Sequence, residues 1–288
     1  MKQREHKPPA IGVLTPPPPL VGLGRERVVS GSMRCLRAGM VALALSALSA
    51  PAARAVEHVV SLNLCSDQML VLLAPEKVAA LSPLARDPTL SFVAARAAAL
   101  PVVRSSAEAV LRLHPDLVLA GAYGAQTTLA LLEQEEVPVW RLDMPEGFAA
   151  IRTQTMRLAD RLGVPERGAA LVAAMDAVLR SVRPQAHRVT AVAWEPRGYT
   201  AGPGSLMDAV LRAAGLTNAS NGRRLGLEAL LRRPPDLLVV PASPDFPSRA
   251  TDMLDSPAVA AIPRRTLPPR LTICAGPFTA QAVAILAR

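Results

Sequence analysis

Two tyrosines stand where a side chain can meet a guest molecule. Tyr123 sits in Gly121-Ala122-Tyr123-Gly124, directly after an apolar run at residues 117–120, and Tyr199 opens the glycine-containing stretch 199–204. A phenol can stack, hydrogen-bond or ligate a metal through oxygen. Aromatic residues are only 3% of the chain, so a tyrosine on a glycine-flanked loop is poorly explained as core. Glu195 and Arg197 share the loop of Tyr199 and can meet polar groups. Gly202 and Gly204 allow close approach of backbone to a ligand, and Ser205 can cap the helix that follows. Asn63 and Cys65 lie at the first strand-to-helix turn and can border the same space, whereas Ser66 and Asp67 beside them read as helix caps. Arg86, in the loop 82–88, can pair with a ligand carboxylate. Trp194 ends a strand as core or cleft wall, and Trp140 reads as packing.

Other chemistries find little support. No G-x-S-x-G, G-x-G-x-x-G, P-loop lysine or H-E-x-x-H motif occurs, so no enzyme class is indicated and no cofactor is expected. Beyond residue 55 the histidines are His58, His114 and His187, and all three read as surface positions. A zinc or manganese receptor needs several such ligands converging in one place. The formal net charge of +9 is concentrated at the start. Residues 1–55 hold eight Lys/Arg and two acids, leaving 24 basic and 21 acidic side chains in 56–288. Those basic residues are scattered among acids rather than forming a stripe, which excludes nucleic acid as a partner.

Part of that early basic charge belongs to an export signal. Residues 33–37 form a basic head, 38–53 carry no charge, and Ala53 and Ala55 supply an A-x-A cleavage pattern. The apolar run falls short of the ~20 residues that a membrane-spanning helix requires. With no cysteine at the cleavage point, a lipoprotein is not expected. The segment 33–55 is therefore read as a signal peptide, with translation expected to begin at Met33 and 1–32 as a non-native or disordered leader. An oxidising compartment permits Cys65 and Cys274 to pair, but their separation of 209 residues says nothing about proximity.

The elements that must position these residues alternate between strand and helix. Apolar runs at 59–63, 78–81, 117–120 and 137–142 read as parallel strands, with helical patterns around 66–73, 106–113 and 126–135 between them. Residues 148–182 contain helix-favouring Ala, Leu, Met and Arg, interrupted at Gly163-Val164-Pro165, with Pro165 suited to a first helical turn and Pro184 to the end. Strand character returns at 188–193. Residues 107–119 also resemble 227–239: in each a glutamate, Glu108 or Glu228, leads a short helix, Pro-Asp follows and an apolar strand comes next. This predicts an α/β fold of two Rossmann-like lobes with mainly parallel sheets, at 56–163 and 185–288, joined by a single long helix at 164–184. One long domain is the alternative.

Four segments in order resemble one family. The start of the mature chain around 59–68, the E-x6-P-D-L-V element at 108–118, the loop and helix at 199–218, and Cys274-Ala275-Gly276-Pro277-Phe278 are similar to the cobalamin and iron-siderophore periplasmic binding proteins of ABC importers, the helical-backbone class. The likeness covers nearly all of 56–288. It implies a monomer that holds a bulky ligand, an iron-siderophore, cobalamin or haem, in the cleft between lobes. It further implies delivery to a membrane permease with its ATPase, and little hinge closure. By the same resemblance an aromatic at Tyr123 packs on the ligand, and Leu271 and Cys274 lie in the final cleft loop. Cys65–Cys274 pairing would then staple the lobes. Glu108 and Glu228 correspond to glutamates that dock onto permease arginines; read without it, they only complement helix dipoles. A periplasmic sensor module without a transport role is the different-class alternative.

Overall fold

Alternation of buried side chains along each strand organises the molecule. The structure, a computed structural model, describes residues 55–183, 187–242 and 256–288. The expected leader, nearly all of the expected signal peptide, and Pro184 lie outside the described residues. The chain runs through β1 (Val59–Ser61), α1 (Leu64–Leu73), β2 (Val78–Ala80), α2 (Ala94–Ala97), α3 (Ala107–Leu111), β3 (Leu117–Gly121), α4 (Gln126–Gln134) and β4 (Val139–Leu142). These four strands form a parallel sheet in the order β2-β1-β3-β4. Two long helices follow, α5 (Phe148–Arg161) and α6 (Pro165–Ser181). A second set then repeats the plan: β5 (Val189–Ala193), α7 (Leu206–Ala213), β6 (Leu216–Asn218), α8 (Leu227–Arg232), β7 (Leu237–Pro241), β8 (Arg264–Leu267) and α9 (Ala280–Leu286). Its parallel sheet has the order β6-β5-β7-β8, the same topology as the first.

Both faces of each sheet are covered. In the first, Val59, Leu117 and Leu119 point into one apolar cluster and Val60, Val118 and Ala120 into another. In the second, Ala191, Ala193, Leu237 and Val239 alternate in the same way with Val192, Leu238 and Val240. This period-two division with apolar side chains on both sides is why the runs are continuous in sequence. The repeat seen at 107–119 and 227–239 becomes α3–β3 and α8–β7, at equal places in the two sheets.

The helical stretch joins the two halves through its side chains. Val164 and Leu171 pack on the first core, Leu179 and Val182 on the second, and Met175 is buried with Ile151 and Ala280. Gly163, at φ +70, ends α5 so that Pro165 can open α6. A Cβ on Gly168 would lie 2.4 Å from the Ala159 Cβ, so α5 and α6 touch where only glycine fits. Arg152 also grips Asp176 through Nε (2.9 and 3.1 Å) and an NH2 contact, across the same helix pair.

Two further ties cross between the halves. Cys65, in the first turn of α1, is disulfide-bonded to Cys274 in the last loop, with Cα atoms 5.2 Å apart. Phe92 stacks on Phe278 with ring centroids 4.8 Å apart, and Leu64 and Leu90 pack around both ties.

Capping at α1 departs from expectation. Asn63 is the N-cap, and its side chain accepts from the Cys65 N–H at 2.8 Å. Ser66, expected as a cap, bonds back to the Asn63 carbonyl and to Ser61. Asp67 is fully buried and accepts from the Ser82 N–H at 3.0 Å and from its hydroxyl, anchoring the loop after β2. Burial is the largest influence on Asp67 and raises its pKa to about 6, against the lowering effect of Ser61 and Ser82. Helix caps favour asparagine as much as serine, so the first polar residue after the strand took the role.

Candidate functional site

The carboxyl edges of the two sheets border two adjoining pockets, where ligands of open α/β sheets sit. The first, about 560 Å³, lies beyond β1, β3 and β4. Its first-half wall is made by Asn63, Cys65, residues 121–123 and residues 142–146, and its opposite wall by Ser205, Leu206 and residues 272–275. The second, about 580 Å³, lies beyond β5, β7 and β8, walled by Glu195, Pro196, Met207, residues 239–242 and Leu267, with Thr89 and Leu90 reaching in from the first half. Thr272 and Ile273 line both, so the pockets meet at the last loop. Each volume is of the size that holds a drug-sized molecule.

Tyr123 lines the first pocket. Its side chain is 77% exposed, unusual for so large a ring, because Gly124 (φ +85) and Ala125 (φ +53) turn the chain sharply before α4. Gly121 serves packing: a Cβ there would meet the Asn63 side chain at 2.9 Å. Met144, 66% exposed, and Gln154, whose Oε1 is buried without a hydrogen-bond partner, share the wall. The Cys65–Cys274 disulfide lies in the same wall, so both cysteines border the pocket and bridge the halves at once.

Glu195 is held at the second pocket by the turn that ends β5. Its N–H donates to the Tyr199 carbonyl (2.8 Å), its carbonyl accepts from Gly198 (3.0 Å), and the fully buried Trp194 beside it donates to the Leu225 carbonyl (2.9 Å). Burial holds the Glu195 carboxyl above the usual carboxylate range.

Four expected contacts lie elsewhere. Tyr199 is exposed but walls neither pocket; the Arg224 guanidinium covers its ring at 5.7 Å. Arg197, at φ +63, is exposed on the far side of the turn, where its carbonyl accepts from Arg224. Arg86 reaches back to the Leu100 carbonyl. Leu271 is buried in the second core, and its neighbours Thr272 and Ile273 face the pockets instead. Gly202 makes room for the Gly222 backbone, 2.9 Å from where its Cβ would be. In each case a residue one or a few places along a turn took the wall position, which spacing alone does not resolve.

Residues 143–146 follow the end of β4, and residues 239–242 make up the carboxyl end of β7 and the residue after it, so both were findable by that rule. Thr89, Leu90, Gln154 and Met207 reach the pockets from loops and helices remote in sequence, and no local signal marks them.

Glu108 and Glu228 are the second residues of α3 and α8. Both are exposed and each pairs four residues on, with Arg112 at 2.6 Å and Arg232 at 3.8 Å. A helix leading into a parallel strand runs antiparallel to it, so both glutamates stand at the carboxyl edges of their sheets. Trp140 packs against the first core beneath Arg157 and Arg161, each 5.8 Å from its ring. His58, His114 and His187 are exposed, and among the described residues no three potential metal ligands converge.

A family model described as periplasmic binding protein matches residues 59–263. Among solved structures, the chain is similar to the periplasmic heme-binding protein RhuT from Roseiflexus sp. RS-1, at 24% identity and TM-score 0.64, covering 81% of this chain and 98% of that one. A periplasmic heme-binding protein from Pseudomonas aeruginosa shows 24% identity and TM-score 0.61, over 81% and 91% of the two chains. An ABC-type Fe3+-hydroxamate transport system protein from Saccharomonospora viridis shows 20% identity and TM-score 0.60, over 80% and 92%. No curated protein matches the sequence.

Proposed function

Because the chain belongs to the periplasmic binding protein family, we propose that it is the binding component of an ABC importer, exported to the periplasm through the signal at 33–55. It holds one bulky iron-bearing or corrinoid ligand between its halves, acts as a monomer and performs no catalysis. The observation that carries this reading is the meeting of two pockets at Thr272 and Ile273, one at each sheet edge. Together they offer more room than either half alone. Solved proteins of the same fold bind haem or transport ferric hydroxamate, as their names state, and haem, an iron-siderophore and cobalamin are the candidate cargoes here.

Tyr123 is the principal ligand contact in this reading. An exposed phenol at a strand's carboxyl end can stack on a chelate or ligate haem iron through oxygen. Asn63, Cys65, Cys274 and Glu195 border the ligand, and Glu108 and Glu228 present one carboxylate per half to a two-fold symmetric permease. The linking role falls to α6, whose bending would break several backbone hydrogen bonds together. The test is a titration of the mature chain, 56–288, with haemin, ferric siderophores and cyanocobalamin, repeated with Tyr123→Ala. Binding of one of these, weakened at least tenfold by Tyr123→Ala, is the expected result. Refusal of all three would return the sensor reading.

A further inference from the structure

Glu195 is unexplained by the packing around it. Among the described residues lining the second pocket it is the charged one, where Leu90, Pro196, Met207, Val239, Val240 and Leu267 supply an apolar wall. No hydrogen bond or ion pair of its carboxyl is found among the described residues, and the rise in its pKa has burial as its cause. A partly buried carboxyl with no partner is costly, because water no longer solvates it fully and no donor replaces the water. The turn also fixes it there. Backbone bonds to Tyr199 and Gly198 close the loop, and Trp194 locks the strand end to Leu225. The backbone from which the carboxyl projects is therefore fixed at the pocket wall.

We infer that the second pocket is a subsite for an apolar ligand arm ending in a cation or strong hydrogen-bond donor, and that Glu195 recognises this end. The inference rests on the binding-protein reading and deepens it. The first pocket, with Tyr123 and Met144, receives the bulky body of the ligand; the arm passes Thr272 and Ile273 into the second. An arm ending in a carboxylate would face Glu195 across an apolar space, where like charges repel more strongly than in water. The subsite thus selects for ammonium, amide N–H or hydroxyl and against an acid.

The experiment compares two chelates that share one metal core. Ferrioxamine B carries a free terminal ammonium, and its N-acetylated form is neutral there. Titrated calorimetrically at neutral pH into wild type, Glu195→Gln and Glu195→Asp, with haemin in parallel, the pair isolates the terminal group. Wild type should bind the ammonium form about 10- to 100-fold more tightly, the range expected for a buried charge-assisted hydrogen bond. That ratio should fall to within about twofold in Glu195→Gln and be partly kept in Glu195→Asp. Equal affinities in wild type, or an undiminished ratio in Glu195→Gln, would overturn the inference. Haemin bound while both ferrioxamines are refused would overturn it too, yet leave the importer reading standing. Refusal of all three ligands would overturn the inference, and refusal of other ferric siderophores and cyanocobalamin as well would remove the importer reading too.

Discussion

Removing the Cys65–Cys274 disulfide should destabilise the protein more than any single core truncation. The bond closes a loop of 209 residues, almost the whole of the described chain. In the chain-entropy description a cross-link over that length withholds about 5 kcal/mol of entropy from the unfolded state at 25 °C. The folded state loses little in exchange, since Phe92 on Phe278 and the contacts of α6 with both cores remain. Cys65→Ser with Cys274→Ser, unfolded in urea beside the oxidised wild type, should therefore show a lower midpoint and a steeper slope, because the uncross-linked chain expands further. For a chain of this size the melting temperature should fall by about 10 °C or more. The refuting result is an unchanged midpoint and slope. That outcome, or two free thiols in the unreduced wild type, would mean that the halves are not stapled.

Three further predictions follow from named contacts. Asp67, whose pKa is raised from 3.8 to about 6, binds its proton more tightly folded than unfolded. Stability from it is therefore present below about pH 4 and is lost as pH rises through 6, by about 3 kcal/mol in total; urea midpoints across this range should flatten in Asp67→Asn. Gly168→Ala should cost about 1–3 kcal/mol, because the new methyl meets Ala159 at 2.4 Å, whereas Gly226→Ala, with nothing within 4 Å, should cost under about 1 kcal/mol; thermal melts separate the two. Reversing Glu108 and Glu228 to Lys together should abolish uptake in cells while ligand affinity stays, since both are exposed and away from the pocket walls; a collapse in affinity would remove their docking role.

Legibility of the sequence followed the reach of the forces. Strands β1, β3 and β7 were readable because each is buried on both faces, and burial writes a continuous apolar run into the sequence. The break between α5 and α6 was readable because Gly163 and Pro165 have local conformational reasons to be there. The duplicated topology came through the repeated Glu-to-Pro-Asp spacing. Contacts made at a distance left no such trace. Cys65 and Cys274 meet only in the folded arrangement of both halves, and Arg86 turns to the Leu100 carbonyl for reasons set by a loop fourteen residues away. Tyr123, which lines the first pocket, was marked in the sequence by its scarcity and its glycine neighbours. Leu271 was taken for its neighbours because a turn decides which of three successive side chains faces a pocket, and a sequence does not print the turn.

The most direct test of the account is a crystal structure of the mature chain with its tightest-binding iron chelate. One ligand should span Tyr123 and the wall formed by Thr272 and Ile273, with the Cys65–Cys274 bond intact and the two sheets in the same relation with and without ligand. A ligand seated on an outer face, or halves that rotate apart when it leaves, would contradict it.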